Sequence, residues 1–105
     1  MPGTIQPFDR SSPLRGRDLR HAALVVLHRT GLVLTIAEIA AALQAADFRV
    51  AGDNANKALA DGLRHEVKRG RARRVSRGRY SVGALPRTTA WRIGRRMDSS
   101  PPLSS

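Results

Sequence analysis

The stretch that decides the fold is KALADGLRHEVKRGRARRVSRGRYSVG, residues 57–83. Its first half has the apolar spacing of a helix and, with the residues just before it, predicts a helix over about residues 54–69. The side of this helix that we expect to be buried consists of Ala55, Ala58, Leu59, Leu63 and Val67. Asp53 is placed to cap the start of the helix, and Gly70 is placed to end it.

The second half, ARRVSRGRYSV, has the alternation and the turn of a β-hairpin. With residues 77–78 as a two-residue turn, Val75 pairs with Tyr80, and Arg73 pairs with Val82. In this register the side that closes over the helices is Val75, Tyr80 and Val82. The outward side is Arg74, Ser76, Arg79 and Ser81. A shift of one residue would exchange the two faces, so the prediction depends on the register.

Two further helices are predicted before this stretch. Residues 17–30, RDLRHAALVVLHRT, place apolar side chains on one helical face, and Gly31 follows where a glycine would end the helix. That face is Leu19, Ala23, Val26 and Leu27. Thr35 and Glu38 have the spacing of a capping box, which starts a short alanine-rich helix that runs to about residue 46. The intervening residues 32–34 are expected to form a short strand or an extended linker.

The fold class predicted is mainly α with a small β-hairpin, an α+β arrangement. Near the end of the chain, Thr88 or Thr89 is expected to cap the segment AWRIGRRM, with Trp91 as its buried anchor. Tyr80 is likewise expected in the core. The organisation expected is a disordered tail over residues 1–12, one domain over 13–83, a basic helical extension over 84–97 and a disordered tail over 98–105.

Composition limits what a chain of 105 residues can be. Apolar residues make up 41% of the chain but aromatic residues only 4%, so one small core of Leu, Val, Ile and Ala is expected. Cysteine is absent, which excludes disulfides and thiolate metal sites and favours a reducing compartment. The N-terminus lacks the apolar run of a signal peptide, and no segment has the roughly 18 apolar residues that cross a bilayer. We therefore expect a cytoplasmic protein.

The positive charge is concentrated in one block. Residues 57–96 contain thirteen Arg and Lys against two Asp and Glu, a balance of +11 that equals the net charge of the whole chain. A field of this kind indicates a polyanionic partner. Membrane binding would need bulky apolar residues opposite the charges on an amphipathic helix. Because much of this charge lies on a predicted hairpin, nucleic acid is the expected partner rather than a membrane.

Three helices followed by a hairpin, with a short second helix and a long basic third helix, are the element order of a winged helix-turn-helix. The chain resembles the winged-helix DNA-binding superfamily over about residues 17–83, in LTIAEIAAAL, KALADGLRHEVKRG and RRVSRGRYSVG. The ending LPRTTAWRIGRRM is similar to that of small uncharacterised actinobacterial winged-helix proteins, which extends the resemblance to about residue 97. The close of the hairpin, RGRY, is similar to that of winged-helix antitoxins of the abortive-infection type.

The resemblance implies binding to double-stranded DNA, with the third helix in the major groove and the wing on the backbone or minor groove. The residues expected on the recognition helix are Asn54, Asn56, Lys57, Asp61, Arg64 and Lys68. Those expected on the wing and the extension are Arg71, Arg74, Arg77, Arg79, Arg92, Arg95 and Arg96. Asn can pair with adenine and Arg with guanine, whereas Lys57 and Lys68 are expected to hold phosphates. Asp61 either accepts from cytosine or pairs with Lys57 or Arg64 at helical spacing.

No effector-binding or dimerisation domain is visible in the sequence, so we expect a transcriptional regulator or a nucleoid-associated protein that acts by binding alone. Two rival functions stay open. One is a winged-helix protein–protein module, of antitoxin or adaptor type, whose arginines bind an acidic partner. The other is RNA binding, although a helix cannot enter the narrow major groove of A-form RNA. A homodimer through the first helix or through the Trp91 segment also stays open.

Catalysis, cofactors and metal binding are not expected. The segment GDNANKA lacks the pattern of a phosphate-binding loop, and the serines have no candidate base nearby. His21 and His28 share a helical face but lie about 10 Å apart along the axis, too far to share a metal ion without a third element. His65 lies among cations and is expected either to contact phosphate or to face water.

Overall fold

The computed structural model describes Phe8 and residues 12–98. Their elements are α1 (Gly16–Thr30), β1 (Leu34–Thr35), α2 (Ile36–Ala45), α3 (Ala55–Lys68), β2 (Ala72–Ser76), β3 (Arg79–Val82) and α4 (Arg87–Asp98). The three strands form one antiparallel sheet in the order β1-β3-β2. Within the described residues the fold is therefore α+β, with four helices and a small antiparallel sheet.

Helix α1 lies at the centre of the structure. Its predicted face is buried, but burial extends to every residue of the segment 22–27, because α2, α3, α4 and β3 all pack against this helix. The predicted stop at Gly31 is confirmed: this residue has φ 64°, and its N–H donates to the carbonyl of Leu27 at 3.0 Å. Because six consecutive residues are buried, the one-sided amphipathic pattern identifies only part of the buried surface of α1.

Helix α2 begins at the predicted capping box. The N–H of Glu38 donates to the hydroxyl of Thr35 at 3.2 Å, and the N–H of Thr35 donates to the carboxylate of Glu38 at 2.8 Å. The residues just before it resolve the choice between strand and linker, because Leu34 and Thr35 form β1 and pair with Tyr80 and Arg79 of β3. The capping box therefore ties the start of α2 to the edge of the sheet.

Helix α3 has the predicted buried side and the predicted end at Gly70. Leu59 and Leu63 are buried, and Ala55, Ala58 and Val67 are partly buried. The predicted cap is wrong by one residue. Asn54 is the N-cap rather than Asp53, and its side-chain oxygen accepts from the N–H of Lys57 at 3.0 Å.

The hairpin has the predicted turn at residues 77–78 but not the predicted register. Ser76 faces Arg79 across the turn, but an irregularity between Arg74 and Ser76 shifts the pairing, so that Arg74 faces Tyr80 and Ala72 faces Val82. Val75 lies at the irregularity and is 55% exposed. The side toward the helices is thus Ala72, Tyr80 and Val82, and the expectation that Val75 closes over the helices is wrong. The predicted faces of Arg73 and Arg74 are wrong as well: Arg74 shares the face of Tyr80, whereas Arg73 shares that of Ser81, and both are exposed. A bulge of this kind displaces one residue from the alternation that the prediction assumed.

The N-terminal end of the described chain packs against α4 and the loop after α2 more closely than predicted. Phe8, which we expected in an unstructured tail, is 1% exposed, and its ring meets Phe48 edge-on with centroids 5.9 Å apart. The N–H of Phe8 donates to the carbonyl of Arg96 at 3.2 Å, and Leu14 forms a bridge with Val50. The other residues of the expected N-terminal tail before Ser12, and those after Asp98, lie outside the described residues.

Helix α4 begins at Arg87, upstream of both threonines that were predicted as caps. Its buried residues are Ala90, Ile93 and Met97, and the last two join the same core as α1. Trp91 is 63% exposed, so its predicted role as the anchor of this segment is wrong. The spacing of Ala90, Ile93 and Met97 sets the rotation of α4 and turns Trp91 outward.

A buried carboxylate joins α1, α3 and the start of the hairpin. Glu66 of α3 is 0% exposed and accepts from Arg20 Nε at 2.9 Å and from Arg71 Nε at 2.6 Å. Burial alone would raise the pKa of Glu66, but the two guanidinium groups outweigh it and hold this pKa below its usual range. The position of α3 relative to the hairpin therefore depends on this ion-pair cluster.

We expect Glu66→Ala to lower the free energy of unfolding by about 3–5 kcal/mol, because it leaves two partly buried guanidinium groups without their carboxylate. Urea denaturation followed by circular dichroism measures this loss. Asp61→Ala is the matched control, since it removes an exposed carboxylate from the same helix and should change stability by no more than about 0.5 kcal/mol. Equal effects of the two substitutions would contradict the structural role of Glu66.

Candidate nucleic-acid interface

The outward side of α3 carries a stripe of polar residues that we call the α3 stripe: Lys57, Asp61, Arg64, His65 and Lys68. These residues recur at helical spacing on the side opposite Leu59, Leu63 and Glu66, and all are exposed. The stripe carries three permanent cations and one carboxylate. The core thus fixes which side of α3 is offered to a partner.

One ion pair modifies the charge of the stripe. Lys57 Nζ lies 3.5 Å from Asp61 Oδ2, one helical turn away, which is one of the pairings that the sequence predicted for Asp61. Within the described part of the chain, no ion pair engages Arg64 or Lys68. Their charges therefore dominate the second half of the stripe.

The two asparagines predicted at the start of the interface differ in their roles. The side-chain oxygen of Asn54 caps α3. If both the oxygen and the NH2 group of this amide bound a base, the helix would lose its cap. Asn56 is exposed in the first turn of α3. Of the two, Asn56 is the one whose side chain is not part of the helix cap.

The hairpin carries four exposed arginines, the hairpin cations: Arg73, Arg74, Arg77 and Arg79. Arg77 occupies the tip, beside Gly78 with φ 74°. Arg79 lies on the central strand opposite Thr35 and adds to the effects that lower the pKa of Glu38, after the hydrogen bonds from Thr35. The charge of Arg79 thus acts partly on Glu38, whereas Arg77 lies at the turn of the hairpin.

Residues 69–71 join the α3 stripe to the hairpin. The N–H of Ala84 donates to the carbonyl of Gly70 at 2.8 Å, and the N–H of Gly83 donates to the carbonyl of Arg71 at 2.9 Å. A Cβ on Gly83 would lie 2.6 Å from the carbonyl oxygen of Gly70, so only glycine permits this approach. The end of the hairpin is therefore held directly against the end of α3.

Two of the arginines predicted to contact DNA are used inside the fold instead. Arg71 is paired with Glu66, and its Nη2 atom is buried without a hydrogen-bond partner. Arg96 Nη2 lies 2.8 Å from Asp18, and its guanidinium stacks 4.3 Å from the ring centroid of Phe8. The side chains of Arg71 and Arg96 are only 16% and 12% exposed, so neither is available to a phosphate.

Arg92 and Arg95 are exposed on α4, a helix that attaches to α1 through other residues than α3 does. Helix α4 contacts Asp18, His21 and Arg29 of α1, whereas α3 is paired with Arg20. The hairpin is thus joined directly to the end of α3, and the α4 arginines lie on a different helix.

Sequence reasoning missed the burial of Glu66 and the exposure of Trp91. Glu66 is a carboxylate at a core position, one turn after Leu63, and that placement was the signal that it would be buried and paired. For Trp91, the signal was the helical spacing of Ala90, Ile93 and Met97, which already fill the inward side of α4.

No protein-family model matches the chain, and no curated protein or solved structure is significantly similar to it. In the described part of the chain, no helix is both long enough and apolar enough to span a bilayer. Among the same residues, no three His, Asp or Glu side chains are grouped as metal ligands.

The contact between α1 and α4 places a histidine in a cationic setting. His21 Nδ1 lies 3.2 Å from Arg96 Nη1, and a guanidinium can only donate, so this ring nitrogen must accept and the ring is neutral. The pKa of His21 is lowered to about 4, first by burial and then by the charges of Arg96, Arg71 and Arg17. Glu66 opposes this shift but does not reverse it.

We expect stability to fall as the pH drops from about 6.5, the pKa of an unfolded histidine, towards the pKa of about 4 in the folded protein. In that window the unfolded chain binds a proton that the folded chain does not, so acid favours unfolding. Urea midpoints at neutral and mildly acidic pH measure the effect. His21→Gln, which keeps an acceptor for Arg96, should flatten the dependence; an unchanged dependence in this variant would exclude His21 as its source.

Proposed function

We propose that the chain is a winged helix-turn-helix protein that binds double-stranded DNA, with α3 as the recognition helix and the β2–β3 hairpin as the wing. The element order and the pairing of β1 with β3 support this assignment. The observation that carries the proposal is the direct attachment of the arginine-bearing hairpin to the end of α3, whose exposed side carries the α3 stripe. This attachment is fixed by Glu66, Arg71 and the close approach of Gly83 to Gly70.

The α3 stripe has the length and chemistry for the major groove. B-DNA admits one α-helix in a groove about 12 Å wide, and the exposed side of that helix then faces the base edges. Arg64 lies in the middle of the second half of α3, where its fork of donors can reach the O6 and N7 atoms of guanine. Lys57 and Lys68 lie at the two ends of the stripe, where the groove walls present phosphates.

The hairpin contributes contacts that position the protein without reading sequence. A tip arginine such as Arg77 can reach the backbone or enter the minor groove beside the recognition helix. Arg73 and Arg74 add charge along the same strand. We assign the protein to transcriptional regulation or to nucleoid organisation in the cytoplasm, through binding alone and without a catalytic step.

Affinity for duplex DNA should depend steeply on salt. If about six to ten phosphates are neutralised, affinity falls by roughly 10³–10⁵ between about 50 and 200 mM salt. Arg74→Ala with Arg77→Ala should reduce the slope of log K against log salt by about two units. The matched control is Arg92→Ala with Arg95→Ala, which removes the same charge from α4 and should leave the slope for blunt duplexes unchanged. A wild-type affinity that does not change with salt concentration would contradict the proposal, as would equal effects of the two double substitutions on the slope.

Arg64 and Arg77 should affect specificity differently. Arg64→Ala removes a contact to a base edge and should relax the preference among duplex sequences, at a cost of about 1–3 kcal/mol for the preferred site. Arg77→Ala removes a backbone contact and should weaken all duplexes about equally. Selection from random duplexes followed by titration of selected and scrambled sites measures both effects. Identical profiles for the two variants would remove the distinction between recognition helix and wing.

A further inference from the structure

The outward side of α4 is a second surface with an unusual composition. We call it the α4 face: Arg87, Thr88, Trp91, Arg92 and Arg95. Trp91 is the sole tryptophan of the chain, and it is exposed although Ala90, Ile93 and Met97 already anchor the helix. Folding therefore does not account for an indole at this position.

The surroundings of Trp91 are cationic. Arg87 and Arg95 lie one turn before and one turn after it, about 6 Å away in each direction along the helix axis. The guanidinium of Arg95 lies 5.9 Å from the centre of the indole, and Arg87, Thr88, Trp91 and Arg92 line an open depression. The nearby carboxylate of Asp98 is paired with Arg29 at 2.7 Å. An exposed aromatic plane is thus flanked by three arginines on one side of one helix.

We propose that the α4 face binds unpaired nucleotides of a nucleic-acid strand, with a base stacked on Trp91 and the flanking phosphates held by Arg87, Arg92 and Arg95. Single-strand sites combine these two elements, an aromatic platform and a cationic track along the backbone. A duplex interior hides the faces of its bases, and an acidic peptide offers carboxylates but no base to stack. A membrane-surface helix needs several bulky apolar residues, whereas Trp91 is the only large apolar side chain of this face.

This site consists of other residues than the one proposed for duplex DNA. The α4 face and the α3 stripe share no residue, and the two helices pair with different residues of α1, Asp18 and Arg20 respectively. The inference does not depend on duplex binding, and each site can fail without the other.

The position of Trp91 makes the test direct, because all tryptophan fluorescence comes from the proposed platform. Titration of the full chain with a short oligothymidylate at low salt should quench this emission to saturation. The control ligand is an abasic deoxyribose-phosphate strand of equal length, which carries the same charge without bases. Stronger binding of the oligothymidylate supports stacking; equal binding of the two strands, or the absence of quenching, overturns the proposal. Tighter binding of polyglutamate than of oligothymidylate also overturns it, in favour of an acidic protein partner.

Substitutions on exposed positions complete the test. With a labelled oligothymidylate followed by fluorescence anisotropy, Trp91→Ala should weaken binding about 5- to 150-fold, the effect of losing one base–aromatic stack. Trp91→Phe should restore most of the affinity, and an alanine variant that binds like the wild type would overturn the proposal. Arg77→Ala should leave oligothymidylate binding unchanged while it weakens duplex binding. If the wild type binds no duplex but is still quenched by the oligothymidylate, the duplex proposal fails and this one stands.

Discussion

The structure depends on the carboxylate of Glu66 and the two guanidinium groups that hold it. The cluster joins α1 through Arg20, α3 through Glu66 and the residue directly before β2 through Arg71. Burying a carboxylate is unfavourable unless it is paired and hydrogen-bonded, so the three elements can approach only in the arrangement that satisfies both oxygens. The angle between α3 and the hairpin is therefore set by a polar interaction, and the apolar core around Leu59 and Leu63 supplies the bulk of the burial.

The same cluster shows that the excess of positive charge has two uses. Arg71 and Arg96 belong to the basic block of the sequence, yet their guanidinium groups pair with Glu66 and Asp18 inside the fold. The remaining arginines of α3 and the hairpin have no such internal role and are exposed. A solvated surface that served only solubility would mix both signs of charge. The separation of paired interior arginines from unpaired outward ones is what makes the α3 stripe and the hairpin cations a candidate binding surface.

Helix positions could be predicted from the sequence because they depend on local chemistry, as the capping box at Thr35 and the glycine stop at Gly31 show. The hairpin turn was predictable for the same reason, but its register was not, since the irregularity beside Val75 depends on what packs beneath the sheet. The stripe from Lys57 to Lys68 followed from periodicity alone. The internal roles of Arg71 and Arg96, and the burial of Phe8, depend on partners far away in the chain, which no local pattern contains.

The packing of the opposite side of α4 keeps Trp91 exposed. Rotating α4 to bury the indole would bring Ile93 and Met97 out of the core, and it would separate Arg96 from Asp18 and Asp98 from Arg29. Each of those losses opposes the rotation, so the indole is held outward by contacts on the other side of its own helix. The α3 stripe and the α4 face are thus two exposed cationic surfaces of different character, and of the two only the α4 face carries an exposed aromatic plane.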